Sequence, residues 1–148
     1  MGTPKPLMRK SRLLLGLLQL FIAIGGIAGG IGLVREPSGA NLGITLAQLA
    51  RSPFHDYLVP GLTLLFLIGV GNLISSGASF LRYRYTGELG VFLGGFLAVW
   101  IIIQVVWLGL VSWLQPFYFL LGCGELLLGW RMRKNQLTQT PNDDIGHN

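Results

Sequence analysis

The sequence predicts an all-α membrane protein: an up-down bundle of four helices with both termini cytoplasmic and a short amphipathic helical cap in the outer loop. Four long apolar stretches lie between Leu13 and Trp130, and the charged residues, 11% of the chain, fall almost entirely outside them. Runs such as Leu97-Ala98-Val99-Trp100-Ile101-Ile102-Ile103 are apolar on every face, where a barrel strand would alternate at period two. Basic residues gather at every second boundary between the stretches.

The stretches cover residues 13–34, 58–81, 89–110 and 112–130. A helix rises about 1.5 Å per residue and a bilayer core is about 30 Å thick, so a span needs roughly 20 apolar residues. The first three meet that length comfortably and the fourth just does. Residues 1–12 form a basic leader, 13–134 a single membrane domain, and 135–148 a polar tail expected to be disordered. The first stretch exceeds the roughly 7–15 residues of a signal-peptide core and lacks an Ala-x-Ala cleavage site, so it is expected to remain as a span.

Lys5, Arg9, Lys10 and Arg12 precede the first span, Arg82 and Arg84 join the second to the third, and Arg131, Arg133 and Lys134 follow the fourth. The opposite side holds only Arg35 and Arg51, balanced by Glu36 and Asp56. Lysine and arginine are retained in the cytoplasm, which places both termini there, as an even number of spans also requires. The net charge of +5 is therefore a membrane signature, and no nucleic-acid partner is expected. Trp100, Trp107, Trp113 and Phe117–Phe119 gather toward the outer end of the last hairpin, and Tyr83 and Tyr85 lie at the inner loop, as in an interfacial belt. Trp100 is too deep for the belt and is expected to pack on a neighbouring helix.

The outer loop, residues 35–57, reads as one or two short surface helices. Leu42, Leu46, Leu49 and Ala50 share one helical face, and Ser52-Pro53 has the form of an N-cap followed by proline. Pro60-Gly61 is expected to bend the chain into the second span, and a turn is expected near Gln115-Pro116. Small residues four apart let helices approach closely in lipid. Gly25/Gly29 and Gly26/Gly30 in the first span and Gly90/Gly94 in the third are either packing positions inside the bundle, the favoured reading, or a homodimer seam.

Polar residues within spans usually face the bundle interior. Counted from the cytoplasmic boundary, Gln19, Asn72, Ser75, Ser76 and Glu125 lie about 9–15 Å deep, so they could meet in one inner-half cluster. Glu125 either couples protons or cations or ties helices together as a neutral, hydrogen-bonding acid, and the second is favoured. Its expected partner is Ser75 or Ser76, reached across Gly122, Gly124 and Gly129. Arg35, Glu36, Arg51, His55 and Asp56 are outer-face polar candidates. No HExxH, Cys/His cluster or Ser-His-Asp arrangement is present, so no metal, cofactor or catalytic centre is expected. A single cysteine, Cys123, allows no intramolecular disulfide.

Pro37-Ser38-Gly39 after the first span, and Ser52-Pro53-Phe54-x-Asp56-Tyr57-Leu58-x-Pro60-Gly61 opening the second, give a layout that resembles small four-span bacterial inner-membrane proteins of uncharacterised function. Arg12 ahead of a glycine-rich first span and a covering segment after it also give a loose DoxX-like outline. The resemblance implies a multi-pass protein of the bacterial inner membrane. The leading function is a structural or accessory protein acting through helix contacts with itself or a larger membrane partner. The alternative is a small-solute or proton-linked transporter using the cluster around Glu125. The threading predicts that reporters at Lys5 and Asn142 read cytoplasmic and one at Ala40 reads external. A cytoplasmic reading at Ala40 would overturn it.

Overall fold

The computed structural model describes residues 6–139, and all of their regular structure is helical. Four long helices run up and down: α1 (Pro6–Arg35), α2 (Leu58–Phe80), α3 (Thr86–Leu108) and α4 (Leu114–Gln139). Among the described residues, α1, α2 and α3 are long and apolar enough to cross a membrane, with mean hydropathies of 2.1, 2.0 and 2.4. α4 falls short of that measure because Gln115, Pro116 and Glu125 dilute its apolar run before Arg131 ends it. Leu14, Phe21, Ile24, Ile74, Val106 and Leu120 are all at least half exposed, an arrangement that water would punish and lipid welcomes.

Packing is pairwise. α1 lies against α2 and α3 against α4, with sparser contacts between the two pairs. Glycine sets both seams. A Cβ at Gly26 would fall 2.7 Å from the Gly69 nitrogen, one at Gly30 2.6 Å from that of Leu65, and one at Gly61 2.7 Å from the Leu33 Cβ. In the second pair, a Cβ at Gly129 would fall 2.6 Å from the Val91 nitrogen, one at Gly90 3.1 Å from the Gly129 Cα, and one at Gly94 would collide with the Leu126 nitrogen. Gly25 is met by the Tyr118 hydroxyl, and Gly29 by Leu64 at 3.0 Å. All six glycines read from the sequence therefore face neighbours within the chain.

The element boundaries move in places. α1 starts at Pro6, so the basic residues through Arg12 extend the helix one end beyond its apolar run. Lys5 lies outside the described residues. Gln115-Pro116 belongs to the first turn of α4 rather than to the turn before it. Gly109, at φ 79, ends α3, and Gln115 Oε1 accepts from Val111 N at 3.0 Å. The tail, expected to lose structure from Asn135, is helical through Gln139, and residues 140–148 lie outside the described residues. α2 contains a π-helical stretch, Leu64–Val70, which faces Gly26 and Gly30.

The outer loop forms two 3₁₀ turns, Ala40–Leu42 and Leu46–Arg51, separated by Gly43 at φ 69. A broken 3₁₀ segment does not carry a 3.6-residue period, so only Leu49 of the expected apolar face is buried; Leu42 and Leu46 are 48% and 46% exposed. Ser52-Pro53 opens no helix. Ser52 N and Oγ both donate to Leu49 O, closing the preceding turn, and α2 begins at Leu58, whose N–H donates to Asp56 Oδ1 at 3.0 Å. Pro60 sits in that first turn, where no intrahelical bond is lost.

Tyr57, only 2% exposed, latches the loop down: its N–H donates to Pro37 O at 2.9 Å and its hydroxyl to Thr45 O at 2.8 Å. Burial pushes its phenol above the usual 10.0. Gly39 takes φ 80 beside it, and a Cβ there would fall 2.5 Å from Ile44 and 3.0 Å from the Tyr57 ring. Phe54 meets Trp107 of α3 edge-on at 5.5 Å, tying the cap to the second pair. The backbone contacts at Gly26 predict that Gly26→Ala will cost about 1–3 kcal/mol in thermal or denaturant unfolding. Gly32→Ala, whose Cβ would meet Leu42 at an ordinary 3.5 Å, is expected to leave stability unchanged.

Candidate functional site

The polar residues within the helices converge on Gln19. α1 presents Leu15, Gly16, Gln19, Ile22, Ala23 and Gly26 as one buried stripe, so Gln19 faces inward by its spacing alone. Its Nε2 donates to Ser75 Oγ at 2.8 Å on α2 and to Glu125 Oε1 at 3.0 Å on α4, and its Oε1 accepts from Ser79 Oγ at 2.8 Å. Gln19 and Glu125 are 0% exposed, and Ser75 and Ser79 at most 2%. One amide thus joins three helices.

Of the five cluster residues read from the sequence, the structure brings together Gln19, Ser75 and Glu125. Ser76 donates to Gly16 O at 2.8 Å, which also ties α2 to α1 but outside the network. Asn72 turns back on its own helix, its Nδ2 donating to Ile68 O at 2.9 Å in the π-helical stretch. Ser79 was missed: it counts as a small packing residue by spacing, yet it stands one turn from Ser75 and so shares its face. The partner of Glu125 is Gln19, not Ser75 or Ser76. Gly122 and Gly129 admit α3 rather than α2, their Cβ positions meeting Ala98 N and Val91 N. Glu125 Oε2 and Asn72 Oδ1 are shielded and meet no donor.

The outer-face candidates do not assemble. Glu36 accepts from the Ser38 hydroxyl and Asp56 caps α2, while no hydrogen bond or ion pair joins any two of Arg35, Glu36, Arg51, His55 and Asp56. Local turn chemistry claims the two carboxylates first. No group of three His, Cys, Asp or Glu side chains stands close enough to hold a metal among the described residues.

Two cavities flank the network. Between the pairs, beneath the cap, lies one of about 470 Å³, lined by Gly25, Gly29, Leu64, Ile101, Trp107 and Tyr118 among others. Its lining is mostly apolar, and Gln104 and Tyr118 on its wall hydrogen-bond to no protein group. Trp100, also on the wall, stacks on Phe96 at 6.3 Å, and its Nε1 is shielded without an acceptor. The other, of about 160 Å³, opens at the basic end between Arg9, Arg12, Ser79 and Arg82. Gln19, Asn72 and Glu125 line neither cavity. The arrangement ties three helices together through side-chain hydrogen bonds.

The network predicts that Glu125→Gln, which keeps an acceptor for Gln19 Nε2, will unfold at nearly the wild-type temperature. Glu125→Leu should lose about 1–2 kcal/mol by stranding Gln19. Equal losses for both variants in thermal unfolding would show that the bond to Gln19 contributes nothing. No protein-family model matches the chain, and neither the curated proteins nor the solved structures searched contain a match.

Proposed function

We propose that the protein is a small accessory protein of the bacterial inner membrane, without a catalytic centre, acting through helix contacts with itself or a larger partner. In this reading α4 is the fourth span and both termini are cytoplasmic. Support for the threading comes from the meeting of basic segments at one end: Arg9, Arg12 and Arg82 surround one cavity, and a Cβ at Gly87 would fall 2.9 Å from Arg133 N. The likeness to small four-span and DoxX-like proteins is one of layout.

One observation carries the functional reading. Gln19 and Glu125 are fully buried within the bundle, and neither the 470 Å³ nor the 160 Å³ cavity is lined by either residue. Buried amide and hydroxyl bonds between helices stabilise a membrane bundle by about 0.6–2 kcal/mol each, and that is sufficient reason for the cluster. The larger cavity is mostly apolar, which suits lipid chains better than a polar solute.

A specific observation favours the second reading, a proton-linked or small-solute transporter. Ser79 lines the basic-end cavity and donates to Gln19, so a single hydrogen bond separates that cavity from the network. Proteoliposomes with an internal pH indicator distinguish the two. The accessory reading predicts no proton flux above that of protein-free vesicles at either sign of membrane potential. A flux that Glu125→Gln abolishes, with thermal stability intact, would replace it with the transporter.

A further inference from the structure

Arg9 and Arg12 stand about one turn apart on α1, and Arg82 follows the last turn of α2. With Leu13, Ser79 and Phe80 they line the cavity of about 160 Å³ at the basic end. Among the described residues no ion pair ties any of the three to a carboxylate, and Arg12 Nε is shielded from solvent without an acceptor. Three like charges around one small cavity repel one another, and an uncompensated donor adds to the cost. The arrangement improves when an anion enters.

Arg82 itself carries the second observation. It is the one described non-glycine residue with positive φ, at 59°. Arg82 N donates to Ser79 O at 3.3 Å and Tyr83 N to Ala78 O at 2.9 Å, the paired bonds that close a helix through a left-handed residue. Glycine normally fills that position because it has no Cβ to crowd the carbonyl. Here an arginine fills it, and its side chain lines the cavity.

We infer that Arg9, Arg12 and Arg82 form a binding site for a phosphate group at the basic end of the bundle. The guanidinium fork matches phosphate oxygens two at a time, and three guanidinium groups supply the charge. Ser79 Oγ already donates to Gln19 Oε1, so recognition rests on the arginines. The phosphate could belong to an anionic lipid headgroup or be free in solution. Leu13 and Phe80, 55% and 43% exposed, extend the wall as an apolar surface along which an acyl chain could lie.

The test uses the full chain in neutral detergent, titrated with inorganic phosphate and, separately, with phosphatidylglycerol. Thermal unfolding and native mass spectrometry read the binding. A saturable rise in Tm with one ligand retained per protein is expected. Saturation by phosphatidylglycerol alone assigns the site to a lipid headgroup, whereas inorganic phosphate that saturates it and competes assigns it to a free anion. Arg82→Gly should weaken binding about tenfold, equivalent to about 1.4 kcal/mol, while ligand-free Tm stays level or rises because glycine suits the backbone. Arg9→Gln, which leaves that backbone untouched, should weaken binding similarly. Arg84 is the control, since it lies in the same loop, with its guanidinium 5.6 Å from the Tyr85 ring centroid and outside the cavity. Arg84→Gly should change affinity less than twofold. The inference is overturned if neither ligand binds saturably, or if Arg84→Gly weakens binding as much as Arg82→Gly.

Discussion

Gln19 holds three of the four helices to one another, and in a lipid surrounding that bond has unusual leverage. Apolar side chains gain nothing by leaving lipid for another helix, so the usual hydrophobic drive toward a compact bundle is missing. What remains is close packing and the reluctance of polar groups to face hydrocarbon. Gln19 supplies the second. Its amide bonds to Ser75, Ser79 and one carboxyl oxygen of Glu125 together, and each of those atoms would otherwise have to find a partner elsewhere or stay exposed to acyl chains.

Close packing comes from glycine. Gly26 against Gly69 and Gly90 against Gly129 bring backbones together so that main-chain atoms, not side chains, form the contact. Side-chain entropy is not lost at such positions, and dispersion contacts are dense. The bundle thus combines two tight pairs with the buried Gln19–Glu125 tie between them. The space left toward the cap is the apolar cavity beneath Leu49 and Tyr57.

Much of this was legible in the sequence. Depth counting from Arg12, Arg82 and Arg131 placed Gln19, Ser75 and Glu125 at one level, because a helix has a fixed rise and span ends have charges. The favoured place for the glycines, inside the bundle, follows from the same regularity. Depth does not give azimuth, however. Ser76 shares the level yet donates to Gly16 O, and Asn72, a turn deeper, bonds to Ile68 O, a carbonyl of the π-helical stretch that no pattern announced. Glu125 has Gln19 as its partner rather than a serine of α2 because Gly122 and Gly129 turn that side of α4 toward α3. The cap was least legible: Gly43 breaks the segment, and Ser52 spends its side chain on closing a turn rather than opening a helix. The four-span count and the threading rest on charge and length.

The pairing of neighbours in sequence has a bearing on how the chain comes to be assembled. Each tight seam joins helices consecutive along the polypeptide, α1 to α2 across the cap and α3 to α4 across the short turn before α4. Contacts of that kind close small loops and form rapidly. Each hairpin can therefore pack as it leaves the ribosome, and the Gln19–Glu125 link, 106 residues apart, must form last. Until it does, a carboxyl group waits on the second hairpin without its amide. The meeting of the two hairpins is then the step that gives Glu125 its partner, and contacts between residues so far apart in sequence close the largest loop in the bundle.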